Sequence, residues 1–289
     1  MVELTTDNRA ILVQLLLAAP LVAVAQLEEY PASNRGDVGS SPSGNANLLG
    51  DIMKARLIFL LDRSGSMGTI LDDTIGGFNT YLENLQSGEG ADEMTMTRIQ
   101  FDSSSIDTEF KDQPIKACPG LDRDNFVPRD ATPLLEAATK AIEAAAEKDY
   151  DGKTIMAIMT DGHENRSAPE YTNERLAGLI AEKRAQGWEF VFLGAGIDAY
   201  AQARQLGIGA SATMSYNAKD AVATMSGYSS LAANTRAFAA GAAPDMGFSA
   251  EQKLSAGDKF AGLTPKVEAA SPATPTPQPK AADYRKVDL

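Results

Sequence analysis

The sequence predicts a doubly wound α/β domain, a mostly parallel sheet flanked by helices with one antiparallel edge strand. Two runs, Leu57 to Leu61 and Thr154 to Thr160, are continuously apolar at strand length. Such runs suit parallel strands covered by helices on both faces. Helical patterns alternate with strand patterns along the chain, which is the signature of this architecture. With 289 residues, 44% of them hydrophobic, the chain has ample material for a real core.

After the first strand, Ile70, Leu71, Ile75, Phe78, Leu82 and Leu85 recur at helical spacing and predict a helix from about Thr69 to Gln86. Gly88 and Gly90 end it. Met94 to Phe101 reads as a second strand, and Asp102-Ser103-Ser104 turns it into a short partner near Ile106 to Phe110. The hairpin-like spacing makes this pair the antiparallel edge. A loop from Lys111 to Asp130 holds Pro114, Pro119, Gly120 and Pro128. Leu134 to Lys148 is Ala-rich and amphipathic, so propensity and pattern both predict a helix. The run ending at Thr160 belongs in mid-sheet. Further elements follow at Pro169 to Gln186 (helix), Trp188 to Leu193 (strand), Asp198 to Leu206 (helix), Thr213 to Tyr216 (edge strand) and Asp220 to Ala240 (helix). The domain is expected over residues 53–240. Beyond Gly241 the core signal fades, and the Pro-rich run 271–279 marks 241–289 as an extended, disordered tail.

Residues 1–52 read as a non-domain extension. Ile11 to Ala25 is apolar, and Ala23-Val24-Ala25 has the look of a cleavage site. The preceding stretch, however, carries Glu3 and Asp7 against Arg9, where a signal peptide has a positive end. Gln14 and Pro20 interrupt the run, which is short for a membrane span. Val24 to Pro31, continuing to Ser43, resembles the conceptual translation of a transfer-RNA gene, which makes Met53 the expected start. Acidic side chains number 39 against 26 basic, a formal charge of −13, and no Lys/Arg block occurs. Nucleic acid and anionic membranes are therefore poor partners in bulk electrostatic terms. The single Cys118 cannot form an intramolecular disulfide and is expected to be a buried apolar filler.

Chemistry concentrates where strands end. Asp62-Arg63-Ser64-Gly65-Ser66 follows the first apolar strand, and an Asp-x-Ser-x-Ser turn points one carboxylate and two hydroxyls at one spot. Oxygen donors at the carboxyl end of a strand suit a hard divalent cation, in the crevice where open α/β sheets place ligands. Thr132 opens the Ala-rich helix, and Thr160-Asp161-Gly162 ends the central strand. Together these pieces resemble the von Willebrand factor A (VWA) domain family and its metal-ion-dependent adhesion site, over roughly residues 55 to 215. The match falls on Asp62, Ser64, Ser66, Thr132 and Asp161. The family often has Gly residues before the Thr, whereas Asp130 and Ala131 stand here. Asp130 is a candidate outer-shell carboxylate, and Glu164 and Asn165 are expected at the metal rim.

The resemblance implies Ser64, Ser66 and Thr132 as direct ligands, with Asp62 and Asp161 acting through waters or as acceptors for the hydroxyls. Mg²⁺ suits near-octahedral oxygen coordination and keeps exchangeable waters, with Mn²⁺ or Ca²⁺ as substitutes. It also implies a metal-dependent protein-binding module that captures a partner's Asp or Glu, not an enzyme. An accessory subunit of an ATPase or metal-insertion machine is one alternative, and a metal-dependent hydrolase another. For hydrolysis, His163 is the only histidine and no Gly-x-Ser-x-Gly elbow is present. A phosphoryl-transfer nucleophile at Asp62 lacks its second acid, because Ser64 occupies that place. Gly194-Ala195-Gly196-Ile197-Asp198-Ala199 fits a loose dinucleotide fingerprint, but it follows a late strand and reads as a tight turn. The chain is expected to be a cytoplasmic protein of bacterial or phage type.

Overall fold

The computed structural model describes residues 54–261. The amino-terminal extension with Met53, and the Pro-rich run 271–279, lie outside the described residues. The strands are β1 (Ala55–Asp62), β2 (Met94–Phe101), β3 (Ile106–Pro114), β4 (Lys153–Thr160), β5 (Trp188–Ala195) and β6 (Thr213–Tyr216). They form a single sheet in the order β3-β2-β1-β4-β5-β6, parallel throughout except for the antiparallel β2/β3 pair. The helices are α1 (Leu71–Gln86), α2 (Leu134–Ala146), α3 (Asn173–Ala185), α4 (Ala199–Gln205), α5 (Ala221–Ala239) and α6 (Ala250–Ser255). The mixed, mostly parallel sheet and the mid-sheet place of β4 are as the sequence predicts.

Alternate residues of each strand feed two cores, because successive side chains point to opposite faces. Leu57, Phe59, Leu61, Ile155, Ala157 and Met159 pack with Phe78, Tyr81 and Leu85 of α1 and Tyr228 and Leu231 of α5. Ile58, Leu60, Met156, Ile158 and Phe192 meet Leu134, Ala138 and Ile142 of α2, Leu176 and Ile180 of α3, and Ala203 of α4. Full burial of a Leu, Ile or Phe contributes roughly 1.5–3 kcal/mol, so both layers are strongly held. Phe59 and Phe78 meet edge to face at 5.0 Å. Helices α1 and α5 approach through Gly77, where a Cβ would lie 2.4 Å from the Tyr228 ring.

Several boundaries differ from the sequence expectation. Helix α3 starts at Asn173 instead of Pro169, because Thr172 caps it by accepting from the Arg175 N–H at 3.2 Å. Strand β3 runs on to Pro114, with a register shift where it passes Met96 and Arg98. The chain also remains ordered past the expected boundary at 240. Met246, Phe248 and Ala256 are buried in the first core, and a Ser249/Gln252 capping box starts α6. Among the described residues no helix is long and apolar enough to cross a membrane.

Candidate metal centre

The strand order reverses around β1: the chain runs outward to β2 and β3, then crosses to β4 on the other side. The crevice between the carboxyl ends of β1 and β4 is therefore the switch point of the sheet, the usual ligand position in open α/β folds. Asp62 ends β1 and is fully buried. Its Oδ1 accepts from the Ser64 N–H at 2.7 Å, and its Oδ2 accepts from Thr160 Oγ1 of β4 at 2.6 Å. Ser64 Oγ and Ser66 Oγ lie 3.2 Å apart, and Ser66 Oγ donates to Asp161 Oδ1 at 2.7 Å. Thr132 reaches the same spot: a Cβ on Gly162 would sit 3.4 Å from Thr132 Oγ1 and 3.9 Å from Ser66 Oγ. All five residues expected from the sequence converge.

The loops that carry these side chains are braced by main-chain bonds. Gly65 N–H donates to Asp130 O at 3.0 Å, and a side chain at Gly65 would press against that oxygen at 3.3 Å. Asp130 itself has φ 60°, a left-handed conformation that Asp tolerates better than most residues and Gly adopts freely. This explains how the chain does without glycine there. The Asp130 carboxylate accepts from the Ser104 hydroxyl, so it fastens the loop to the β2/β3 turn. Asn165 clamps Thr132 from both sides: its Oδ1 accepts from Thr132 N–H at 2.9 Å, and its own N–H donates to Thr132 O at 3.1 Å. The Thr132 main chain is thereby fixed and its hydroxyl left to the site.

Glu164, expected at the metal rim, has both carboxylate oxygens engaged by the protein. Its Oε2 accepts from the Leu135 N–H at 2.8 Å and the Ser167 hydroxyl at 2.7 Å, and its Oε1 from the Arg166 and Ser167 N–H groups at 2.7 Å each. A carboxylate bonded to the exposed N–H groups of a helix start is favoured by the helix dipole, and this one anchors α2.

Arg63, the variable position of the Asp-x-Ser-x-Ser motif, has a structural role. Its guanidinium is buried and binds Asp102, Asp107 and Ser105, while its backbone pairs with Phe101 O at 2.9 Å and Arg129 N–H at 2.8 Å. Arg129 also binds Asp102, at 2.9 Å. Arg63 thus ties the Asp62–Ser66 turn to the β2/β3 turn and to the loop that delivers Thr132. Its place inside the Asp-x-Ser-x-Ser motif was the available signal, but its partners lie far along the chain.

The electrostatics favour a cation. Burial pushes the Asp62 carboxyl up to about 6; hydrogen bonds from Thr160 and Ser64 oppose this, and the nearby Asp161 adds to it. Asp161 is also raised, again chiefly by burial. Among the described residues no Lys or Arg forms an ion pair with either carboxylate. Buried charges are ordinarily paired or bound to metal. The donors are all hard oxygens, and the Ser64–Ser66 spacing is close to the ~3.0 Å edge of an octahedron with bonds of about 2.1 Å. The residues fit a small divalent cation. No group of three or more His, Cys, Asp or Glu side chains is placed to hold a metal among the described residues. The candidate centre instead combines three hydroxyls with two carboxylates.

The remaining candidates are quieter. His163 is exposed, and the Ser64 and Ser66 hydroxyls bond to each other and to Asp161. Cys118 is buried, with its thiol raised to about 11 mainly by desolvation. Gly196 makes a tight turn at φ 72°, its N–H donating to Tyr216 O at 2.8 Å.

No protein-family model matches the chain, and no curated protein matches its sequence. Solved structures similar to it include proximal thread matrix protein 1 from the mussel byssus, 18% identical over 65% of this chain with a TM-score of 0.47. Another structure of that protein has a zinc-occupied MIDAS motif. The D319A mutant of the PilB minor pilin from Streptococcus sanguinis is 13% identical over 66% of this chain, with a TM-score of 0.48. The manganese-loaded TRAP protein of Plasmodium vivax is 15% identical over 61%, with a TM-score of 0.43. The match spans 48% of the thread protein, 64% of the pilin and 74% of the TRAP chain. With every one of these scores below 0.5, the architecture rests on the strand order and register, and the site on its own side chains.

Proposed function

We propose that the chain is a VWA-type, metal-dependent protein-binding module that captures a carboxylate of a partner, with Mg²⁺ as the cation and Mn²⁺ or Ca²⁺ as substitutes. The observation that carries this reading is Asp62: a fully buried carboxylate with no ion pair among the described residues, ringed by hydroxyls at the sheet's switch point. Ser64, Ser66 and Thr132 would hold the ion directly, and Asp62 and Asp161 would orient them and neutralise its charge in part. The bound ion supplies a Lewis-acidic centre that an Asp or Glu of a partner protein can reach. Ser66 is exposed and Asp161 half-buried, so the centre opens to solvent on one side. Asn165 and Arg63 keep Thr132 and the Ser64–Ser66 turn in register for that contact. A chain of net charge −13 otherwise repels acidic surfaces, which makes the cation the natural bridge. The Ser hydroxyls engage each other and Asp161, which supports binding over hydrolysis.

The test uses displayed peptides that vary around one Asp or Glu, panned on the full chain in Mg²⁺. The proposal expects retention that EDTA abolishes and that Thr132→Ala or Ser66→Ala reduces sharply, a loss of about 2 kcal/mol or more for a buried interface anchor. Retention unchanged after EDTA has stripped the metal would contradict it.

A further inference from the structure

At the opposite end of the sheet, below the amino ends of β1, β4 and β5, lies a cavity of about 550 Å³. Its walls carry Arg56, Lys148, Tyr150, Thr154, Lys183 and Trp188, with Asp149 the one carboxylate among them. Arg56 is anomalous. Three arginines are buried in the described residues: Arg63 binds Asp102 and Asp107, and Arg98 binds Glu109. Arg56, only 5% exposed, forms no such ion pair among the described residues. Its Nη1 donates to Ala145 O at 2.9 Å and its Nη2 to Thr154 Oγ1 at 3.2 Å. Its Nε–H is buried with no hydrogen-bond partner among the described residues. The guanidinium lies over the Tyr150 ring at 4.8 Å and the Trp188 ring at 5.2 Å, contacts that hold its plane but carry no countercharge. Asp112 acts on it only through space, too weakly to offset the desolvation that depresses its pKa.

A buried, unpaired cation is costly unless something supplies the opposite charge. Two lysines also line the cavity. Lys148 is exposed at the cavity, and Lys183, with 12% of its side chain exposed, pairs with the solvent-facing Glu182 at 3.0 Å. With Lys183 paired to Glu182, Arg56 and Lys148 are the cavity cations without an ion pair among the described residues, against the lining carboxylate Asp149; two such cations, in a chain of net charge −13, favour an anion carrying more than one charge. A planar guanidinium with further donor capacity beside an exposed lysine is the donor set that phosphate oxygens select. The cavity is also several times larger than a bare tetrahedral ion.

We propose that this cavity binds a small phosphate-bearing anion, with Arg56 and Lys148 as the principal contacts and Trp188 beside the ligand. The site is separate from the metal centre and does not rest on it.

Trp188 is the only tryptophan in the chain, so its fluorescence reports on this cavity alone. The full chain is titrated with inorganic phosphate and with AMP at constant ionic strength, in EDTA, with acetate as a singly charged control. The proposal expects a saturable change in emission with at least one phosphate probe and none with acetate. Tighter binding of AMP identifies a phosphate ester as the occupant, and tighter or equal binding of inorganic phosphate identifies the free ion. Lys148→Ala, at an exposed position that leaves the fold intact, should weaken binding about tenfold, as expected for loss of one charge-assisted hydrogen bond. Arg56→Gln should abolish it, with circular dichroism reporting whether that variant folds. No saturable response to either phosphate probe, or a response that Lys148→Ala and Lys148→Glu both leave unchanged, would overturn the proposal.

Discussion

Asp62 and Arg63 are neighbours in sequence and opposites in circumstance. Asp62 is buried without an ion pair among the described residues, and its chemistry is left for a ligand; Arg63 is buried in a net of carboxylates and does structural work. Asp102 is the centre of that net. Burial alone would raise its pKa, but hydrogen bonds from Arg63, Arg129 and the Ser104 N–H outweigh this and hold it below the ordinary 3.8. A depressed acid stabilises the fold fully above its unfolded pKa and loses that contribution as pH falls through the folded one. Wild type should therefore lose stability on acidification below 3.8, and Asp102→Asn should be less stable at neutral pH but show a shallower acid loss. Melts of both proteins at neutral and acid pH check this, and parallel curves would remove Asp102 from the account. The five residues that the family resemblance singles out were legible as motif pieces, Asp62–Ser66, Thr132 and Thr160–Gly162, and the apolar pattern places those pieces at strand ends and a helix start. Arg63 and Glu164 were not. A charged residue beside a site has the same sequence signal whether it faces a ligand or, as Glu164 does, the N–H groups of a helix.

Among the elements, the strands were the most legible, since their apolar runs coincide with their boundaries to within a residue or two. The β3 extension and the late start of α3 were not, because a bulge and a Thr172 cap leave little trace in hydrophobic periodicity. Helix α6 was missed for a related reason: Met246, Phe248 and Ala256 are buried at irregular spacing, around a helix of six residues that is too short to show a period. The packing of α1 on α5 depends on one absent side chain. Gly77→Ala should gain up to ~1 kcal/mol of helix propensity. It would also drive a Cβ to 2.4 Å from the fully buried Tyr228 ring. Overpacking of a rigid core costs about 1–3 kcal/mol, so the clash should win. A melting temperature lower by a few degrees is expected, and a rise would show that α1 and α5 can separate without penalty.

At the scale of the molecule, the sheet separates two kinds of charge that form no ion pair among the described residues. Its carboxyl end holds buried Asp62, with a second, half-buried carboxylate at Asp161, and its amino end holds buried Arg56. The interior between them is lined by apolar clusters on both faces of the sheet. The carboxyl-end charge has a calculable consequence. Carrying an ionised Asp62 at neutral pH, against a carboxyl pushed up to about 6, costs the fold on the order of 1–3 kcal/mol when no cation is bound. Asp62→Asn removes that charge while keeping the shape and a hydrogen-bonding carbonyl for the Ser64 N–H. The most direct measurement is calorimetric titration of Mg²⁺ into EDTA-treated wild type and Asp62→Asn, with a melt of each apo protein. Wild type should show one saturable site and Asp62→Asn none, and the apo variant should melt no lower than wild type. Equal Mg²⁺ affinity in the two proteins, or no binding by wild type, would contradict it.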